Sequence, residues 1–227
     1  MLVHGWFTDA SSWAPVAAQL QRAGVRVVLP ANPLRGLSAD AAYLKDRMEE
    51  GPVLLVGHSY GAAVITEAAA QASNVRGLVY VAGFALDAGE SIESFSAGFP
   101  DPPMREALRR RDFDGHTELT IDPARFGPVF AQDLPAGTTS LMGAAQRPVA
   151  TSCLAERATA AAWHRLPSWY LVASDDRCVH PEAQRFMAGR AGSHIACTAG
   201  SHAVTLSQPT AVTDLILTAA QVIQLSN

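Results

Sequence analysis

The chain has 227 residues, 48% of them apolar and 17% charged, enough to bury one substantial core and more in keeping with one domain than two. A formal charge of −4 gives no basic footprint, which argues against nucleic acid and anionic membrane surfaces as partners and for a small or neutral substrate. Cys153, Cys178 and Cys197 are widely spaced with no C-x-x-C pair, so neither a disulfide framework nor a structural zinc site is expected and a reducing cytoplasm is the default compartment; no apolar run reaches the roughly 18 residues of a membrane span, and no leader-like segment is seen.

Leu2-Val3 reads as a short strand ending in the turn His4-Gly5-Trp6-Phe7. Ser11 or Ser12 caps a first helix, with Pro15 in its first turn, Val16, Leu20 and Ala23 on its apolar side, and Gly24 at its end. Val25 to Leu29 is expected as a strand, Pro30 to Leu37 as a loop, and Ser38 to Glu50 as a helix stopped by Gly51-Pro52. Val53 to Val56 is uncharged and rich in β-branched residues, as in a strand buried on both faces. Ala62 to Ala70 favours helix by propensity, and Val75 to Ala82 is a further strand. Strand and helix alternating at this spacing imply right-handed crossovers and a parallel sheet.

The alternation breaks between Asp87 and Pro148, a proline-rich segment with a charged cluster from Arg105 to Asp114. A structureless loop of that length is improbable in a compact domain, so residues 87–148 are expected as an inserted cap, or lid, on a core formed by 1–86 and 149–227. Within the cap the pattern predicts a small helix near Pro103 to Arg111, a strand near Glu118 to Ile121 and a helix near Thr138 to Ala145. Its Phe95, Phe99, Phe113, Phe126, Phe130 and Met142 are candidates either for a substrate pocket or for the cap's own small core. The core then resumes with a strand at Trp169 to Ala173, a helix at Pro181 to Ala188, a strand at His194 to Thr198 and a closing helix at Pro209 to Leu225.

Gly57-His58-Ser59-Tyr60-Gly61 stands between a strand and a helix. Gly-x-Ser-x-Gly in that context is a nucleophile elbow: the sharp turn lifts the serine hydroxyl off the sheet, so Ser59 is the candidate nucleophile. A serine hydroxyl needs a base within hydrogen-bond reach, itself oriented by a carboxylate. On a sheet carrying such an elbow these partners follow in the chain order serine, acid, histidine. The loop after the strand at 169–173 offers Asp176, with Asp175 as its neighbour and Asp87, after the strand at 75–82, as a third candidate acid. His202, between the last strand and the last helix, is the candidate base. The oxyanion of an acyl-transfer reaction requires backbone N–H donors. These are expected from Tyr60 and from Trp6, with Phe7 as the alternative to Trp6.

Leu2-Val3-His4-Gly5, the elbow at Ser59, Asp176 and Ser201-His202 closely resemble the alpha/beta hydrolase superfamily. Val28 to Leu37, Gly77 to Ser91, Gln146-Arg147-Pro148 and His202 to Pro209 resemble its small-lid branch of bacterial esterases, plant methyl esterases and hydroxynitrile lyases. The resemblance implies an alpha/beta hydrolase fold: a mostly parallel sheet of about six strands with helices on both faces, the outer strands ahead of Leu2 being missing from the sequence. It implies a serine esterase without metal or other cofactor, acting on a small apolar ester as a monomer or homodimer. Hydroxynitrile lyases of this branch carry a lysine after the catalytic histidine, where this chain has Ala203, which disfavours lyase chemistry. Carbon–carbon bond hydrolysis, or a non-hydrolytic ligand receptor on the same fold, are the alternative functions.

Overall fold

The computed structural model describes residues 1–113 and 115–224; Asp114 and the Leu225 end of the expected closing helix lie outside the described residues. In chain order the elements are β1 (Leu2–Val3), α1 (Ala14–Arg22), α2 (Leu37–Asp46), β2 (Val53–His58), α3 (Tyr60–Ala70), β3 (Val75–Val81) and α4 (Ile92–Ser96). There follow β4 (Leu108–Phe113), β5 (His116–Ile121), α5 (Pro123–Phe130), α6 (Ala136–Ala145), β6 (Val149–Ala150) and α7 (Ser152–Ala155). The chain ends with β7 (Ser168–Ala173), α8 (Pro181–Arg190), β8 (His194–Thr198), α9 (Val204–Ser207) and α10 (Pro209–Gln224).

Among the described residues the main sheet has five strands, all parallel, in the order β1-β2-β3-β7-β8. Alternation along each strand divides the core in two. Leu55, Leu78, Tyr80, Tyr170 and Val172 face α2, α3 and α8, whereas Val56, Val79, Val81, Trp169 and Leu171 face α1 and α10. Helices thus cover both faces, and the run at Val53 to Val56 is apolar on both, with Leu55 and Val56 buried and Val53 and Leu54 half-buried at its start. No helix among the described residues is long and apolar enough to cross a membrane.

Two sequence expectations fail for identifiable reasons. Val25 to Leu29 does not become a sixth strand. Its neighbour β1 offers only two residues, so the segment gains a single ladder bond, Leu2 N–H to Val28 O at 2.9 Å. The expected helix at Pro103 to Arg111 is a 3₁₀ turn at Pro103–Ala107 followed by β4. Antiparallel pairing with β5 in residue-by-residue register, together with the Arg109–Asp122 and Arg110–Asp112 ion pairs at 2.7 and 3.0 Å, outweighs the local preference of that polar run. β6 completes this second, three-stranded sheet. The expected strand near Glu118 and the helix near Thr138 are present as β5 and α6, each beginning two residues earlier.

Candidate active site

β2 ends at His58 and α3 begins at Tyr60, which leaves Ser59 alone to make the turn. It does so at φ 54° and ψ −123°, a conformation that side-chain-bearing residues rarely adopt. Three backbone hydrogen bonds hold it there: Ser59 N–H to Val81 O at 3.1 Å, and Ala62 and Phe84 N–H to Ser59 O, each at 3.1 Å. The turn brings α3 so close to β1 that a Cβ at Gly61 would overlap the carbonyl of Val3.

The Ser59 hydroxyl donates to His202 Nε2 at 2.9 Å. Asp176 Oδ2 lies 2.7 Å from His202 Nδ1. A carboxylate can only accept, so Nδ1 carries the proton and the Nε2 lone pair faces Ser59. Asp176 is fixed in turn by Cys178 N–H (2.7 Å) and Val179 N–H (2.9 Å) on one oxygen and by Gln184 Nε2 (2.8 Å) on the other. The alternative acids stand apart: Asp87 pairs with His164 at 3.0 Å, and Asp175 is exposed, with its carbonyl accepting from Gln132 Nε2 at 2.6 Å.

The strand-to-loop turn after β1 lies against the same serine. A Cβ on Gly5 would stand 2.5 Å from Ser59 Cβ. The Gly5 carbonyl accepts from His4 Nδ1–H at 2.9 Å and from the Thr8 hydroxyl at 3.3 Å. Because the Gly5–Trp6 peptide is planar and trans, fixing this carbonyl aims the Trp6 N–H the opposite way. Neither the Trp6 nor the Tyr60 amide meets an acceptor among the described residues, which leaves two donors free beside Ser59. Phe7, the alternative donor, sits at φ 60° and lines the same pocket.

Two histidines brace this arrangement. His4 takes Asn32 N–H on Nε2 at 3.0 Å, and burial lowers its pKa to about 4. His58 donates Nε2–H to the carbonyl of His202 at 2.8 Å, and burial again, helped by the neighbouring His202, holds its pKa well below the ordinary value. Both are neutral near pH 7, whereas in the unfolded chain a histidine protonates near pH 6.5. On acidification the unfolded state therefore binds protons that the native state refuses, and stability falls from about pH 6.5 downward. Each of the two contributes a slope of up to about 1.4 kcal/mol per pH unit. Burial raises the pKa of Asp40, which acts in the opposite sense just above the ordinary carboxylate range. Denaturant titrations at pH 7.0 and 5.5, above that range, are expected to show lower stability at pH 5.5; equal stabilities would contradict the neutral assignment.

A cavity of about 20 Å³ lies over Ser59, bounded by Trp6, Phe7, Phe84, Met104, Phe130, Cys178, Val179 and His202. Of the six apolar candidates from the 87–148 segment only Phe130 reaches it; Phe95 and Phe99 pack instead with Phe186. Phe84, Met104, Cys178 and Val179 are walls that no sequence pattern marked, because they come from separate loops brought together only by the fold. Equally unmarked is a brace at the end of α5. Phe130 O accepts from Ala203 N–H at 3.0 Å, Asp133 Oδ2 from Ser201 N–H at 2.9 Å, and Pro128 O from Arg177 Nη1 at 2.9 Å. The segment thereby holds the acid loop and the histidine loop together. A larger cavity, about 590 Å³, opens at the other end of the strands among Met1, Val25, Pro52, Arg76 and Ile216; among the described residues no serine, cysteine or histidine lines it. The chemistry-bearing groups gather at the carboxyl ends of the strands, as parallel sheets favour.

Residues 1–215 match the model of the alpha/beta hydrolase family. Alpha/beta hydrolase nvfD of Aspergillus novofumigatus is 30% identical over 185 residues, covering 74% of this chain and 70% of that protein. The carbendazim hydrolyzing esterase of a Nocardioides species is 34% identical over 107 residues, covering 40% of this chain and 44% of that protein. Among solved structures, polyneuridine aldehyde esterase superposes with a TM-score of 0.81 at 17% identity, over 96% of this chain and 97% of the other. The methylesterase MES16 from Arabidopsis gives 0.79 at 16% identity, over 97% and 98%.

Proposed function

Since the chain belongs to the alpha/beta hydrolase family, we propose that it is a serine esterase that cleaves carboxylic esters of small, mainly apolar substrates through an acyl-enzyme. The observation that carries this reading is the continuous path from Ser59 Oγ through His202 to Asp176, with steps of 2.9 and 2.7 Å. Ser59 attacks the acyl carbon while His202 Nε2 takes its proton. Asp176, accepting from Nδ1, stabilises the imidazolium that forms. The negative charge on the acyl oxygen falls to the amides of Trp6 and Tyr60, which are already oriented and cost no reorganisation. His202 then returns the proton to the departing alkoxide, and water, deprotonated by the same nitrogen, releases the acid and restores Ser59.

The pocket walls support the substrate class. Apart from Ser59 and His202 they are aromatic, aliphatic or sulfur-bearing, with no cation to meet an anionic acyl or alcohol group. About 20 Å³ accommodates little more than one water, so an ester enters by displacing side chains. Met104, unbranched and half-buried, is the wall best able to move. Residues 87–148 act as a lid, supplying Met104 and Phe130 to the pocket. Ala203, directly after His202, bears no cation with which to receive a cyanide leaving group, which favours hydrolysis over lyase chemistry.

Incubation with a fluorophosphonate probe is expected to modify Ser59 rapidly and stoichiometrically, as read by intact mass and peptide mapping. The same protein is expected to hydrolyse p-nitrophenyl acetate and butyrate in preference to p-nitrophenyl esters with charged acyl groups. Absence of both labelling and hydrolysis in folded protein would remove the esterase assignment.

A further inference from the structure

Asp40, in the first turn of α2, is fully buried and takes no part in the chemistry described above. Among the described residues no lysine or arginine side chain is paired with it: Arg35 sends its guanidinium to Glu118 and offers Asp40 only its backbone N–H, 3.2 Å from each carboxylate oxygen. An uncompensated buried carboxyl is costly unless its hydrogen bonds are met, and burial accordingly raises its pKa. The strongest of those bonds comes from the Tyr60 phenol, which donates to Asp40 Oδ2 at 2.7 Å. The Cys153 thiol lies farther from the same oxygen, at 3.9 Å.

Tyr60 is the residue whose amide follows Ser59, and its ring is wholly enclosed. One face of that ring stacks on Trp6, with centroids 5.4 Å apart and planes 25° from parallel. Trp6 carries the other amide beside Ser59. A single aromatic ring, tethered at its hydroxyl, therefore connects the two residues that supply the oxyanion donors. Resting on the reading of Ser59 as the nucleophile, we propose that Asp40 is a positioning residue of the oxyanion site: its carboxylate anchors the Tyr60 phenol and, through the stacked Tyr60 and Trp6 rings, sets the direction of both amides. Donors at an oxyanion site act only if they point at the place where charge develops, and loss of one such donor costs about 10²–10³-fold. A donor displaced but not removed should forfeit a smaller part, about 10-fold.

The test compares wild type, Tyr60→Phe, Asp40→Asn and the double variant. The readouts are kcat and KM for p-nitrophenyl acetate, the inhibition constant of an aryl trifluoromethyl ketone that forms a tetrahedral adduct with serine, and the melting temperature. An interaction made only in the transition state lowers kcat and kcat/KM together. Both single variants are thus expected to lose about 10-fold in kcat with KM within about twofold, and ketone affinity is expected to fall in parallel. Because Asp40 acts through the phenol, the double variant should be no slower than the slower single variant, in contrast to the multiplied losses of independent residues. Lowered melting temperatures with unchanged kcat and ketone affinity, or multiplied losses in the double variant, would overturn the proposal. Tyr60→Phe removes one oxygen atom and keeps the ring, so it decides the matter alone if Asp40→Asn does not fold. A wild-type protein that neither turns over the ester nor binds the ketone would defeat the nucleophile assignment and this proposal together, a result distinct from an active wild type with unaffected variants.

Discussion

Ser59→Ala is expected to fold as the wild type does and to hydrolyse p-nitrophenyl acetate slower by on the order of 10⁶-fold, the scale on which loss of a serine nucleophile acts in enzymes of this logic. Of the described residues bounding the pocket only Ser59 carries a hydroxyl, so no neighbouring oxygen among them takes over. The other nucleophilic atom there is Cys178 Sγ. Burial pushes that thiol well above its ordinary pKa, and it donates to Val129 O at 3.2 Å, so it stays protonated and turned away from the acyl carbon. Structural cost is small for the complementary reason. Alanine keeps the Cβ, the turn is held by backbone bonds through Ser59 N and O, and the deleted oxygen makes one hydrogen bond, to His202. The change in stability should remain within about 1 kcal/mol. Initial rates and a thermal melt on the same preparation check both halves. A wild-type rate in Ser59→Ala would shift suspicion to Cys178.

What could be read from the sequence depended on whether the determinant was local. β2, the elbow and α3 were legible because an unbroken apolar run, two glycines around a serine and an alanine-rich stretch each specify their own geometry within a few residues. Val25 to Leu29 has an equally good strand composition, but a strand needs a neighbour, and β1 is too short to provide one. β4 fails in the opposite direction. Its arginines and aspartate read as a solvated helix face, yet the backbone is recruited into a sheet by β5 and, beyond it, by β6, whose residues lie about thirty positions further on. Ser59, Asp176 and His202 could be placed by the order of strands and loops, because the fold sets where such groups meet. The walls of the pocket could not. Six apolar side chains of the 87–148 segment were equivalent in sequence, and only packing separates Phe130, edge-on to His202 at 4.9 Å, from Phe113, which is 40% exposed. Asp40 was hidden for a related reason: an acid in the first turn of a helix ordinarily answers the helix dipole, and only the tertiary structure shows it sealed against Tyr60.

Asp176→Asn is expected to lower kcat by on the order of 10⁴-fold while the site keeps its shape. Two of the bonds to Asp176 survive the change, since the asparagine carbonyl can still accept from Cys178 N–H and Val179 N–H. The amide nitrogen then replaces Oδ2, the atom that faced both His202 Nδ1 and Gln184 Nε2. Gln184 cannot simply turn over to meet it, because its own oxygen accepts from Ala173 N–H at 3.0 Å and its nitrogen also donates to Val179 O at 2.9 Å. His202 adapts more readily by moving its proton to Nε2 and accepting at Nδ1. That tautomer points a hydrogen at Ser59 Oγ and has no lone pair with which to take the serine proton. The loss should therefore appear in kcat and in the rate of fluorophosphonate labelling alike, with circular dichroism unchanged and a stability cost of about 1–3 kcal/mol from the donors left facing each other beside Gln184. Asp87→Asn serves as the comparison. Asp87 pairs with exposed His164 and makes no contact with His202, so that variant should retain activity within about twofold. Full activity in Asp176→Asn with an inactive Asp87→Asn would instead assign the acid to Asp87 and require a different geometry around His202 during turnover.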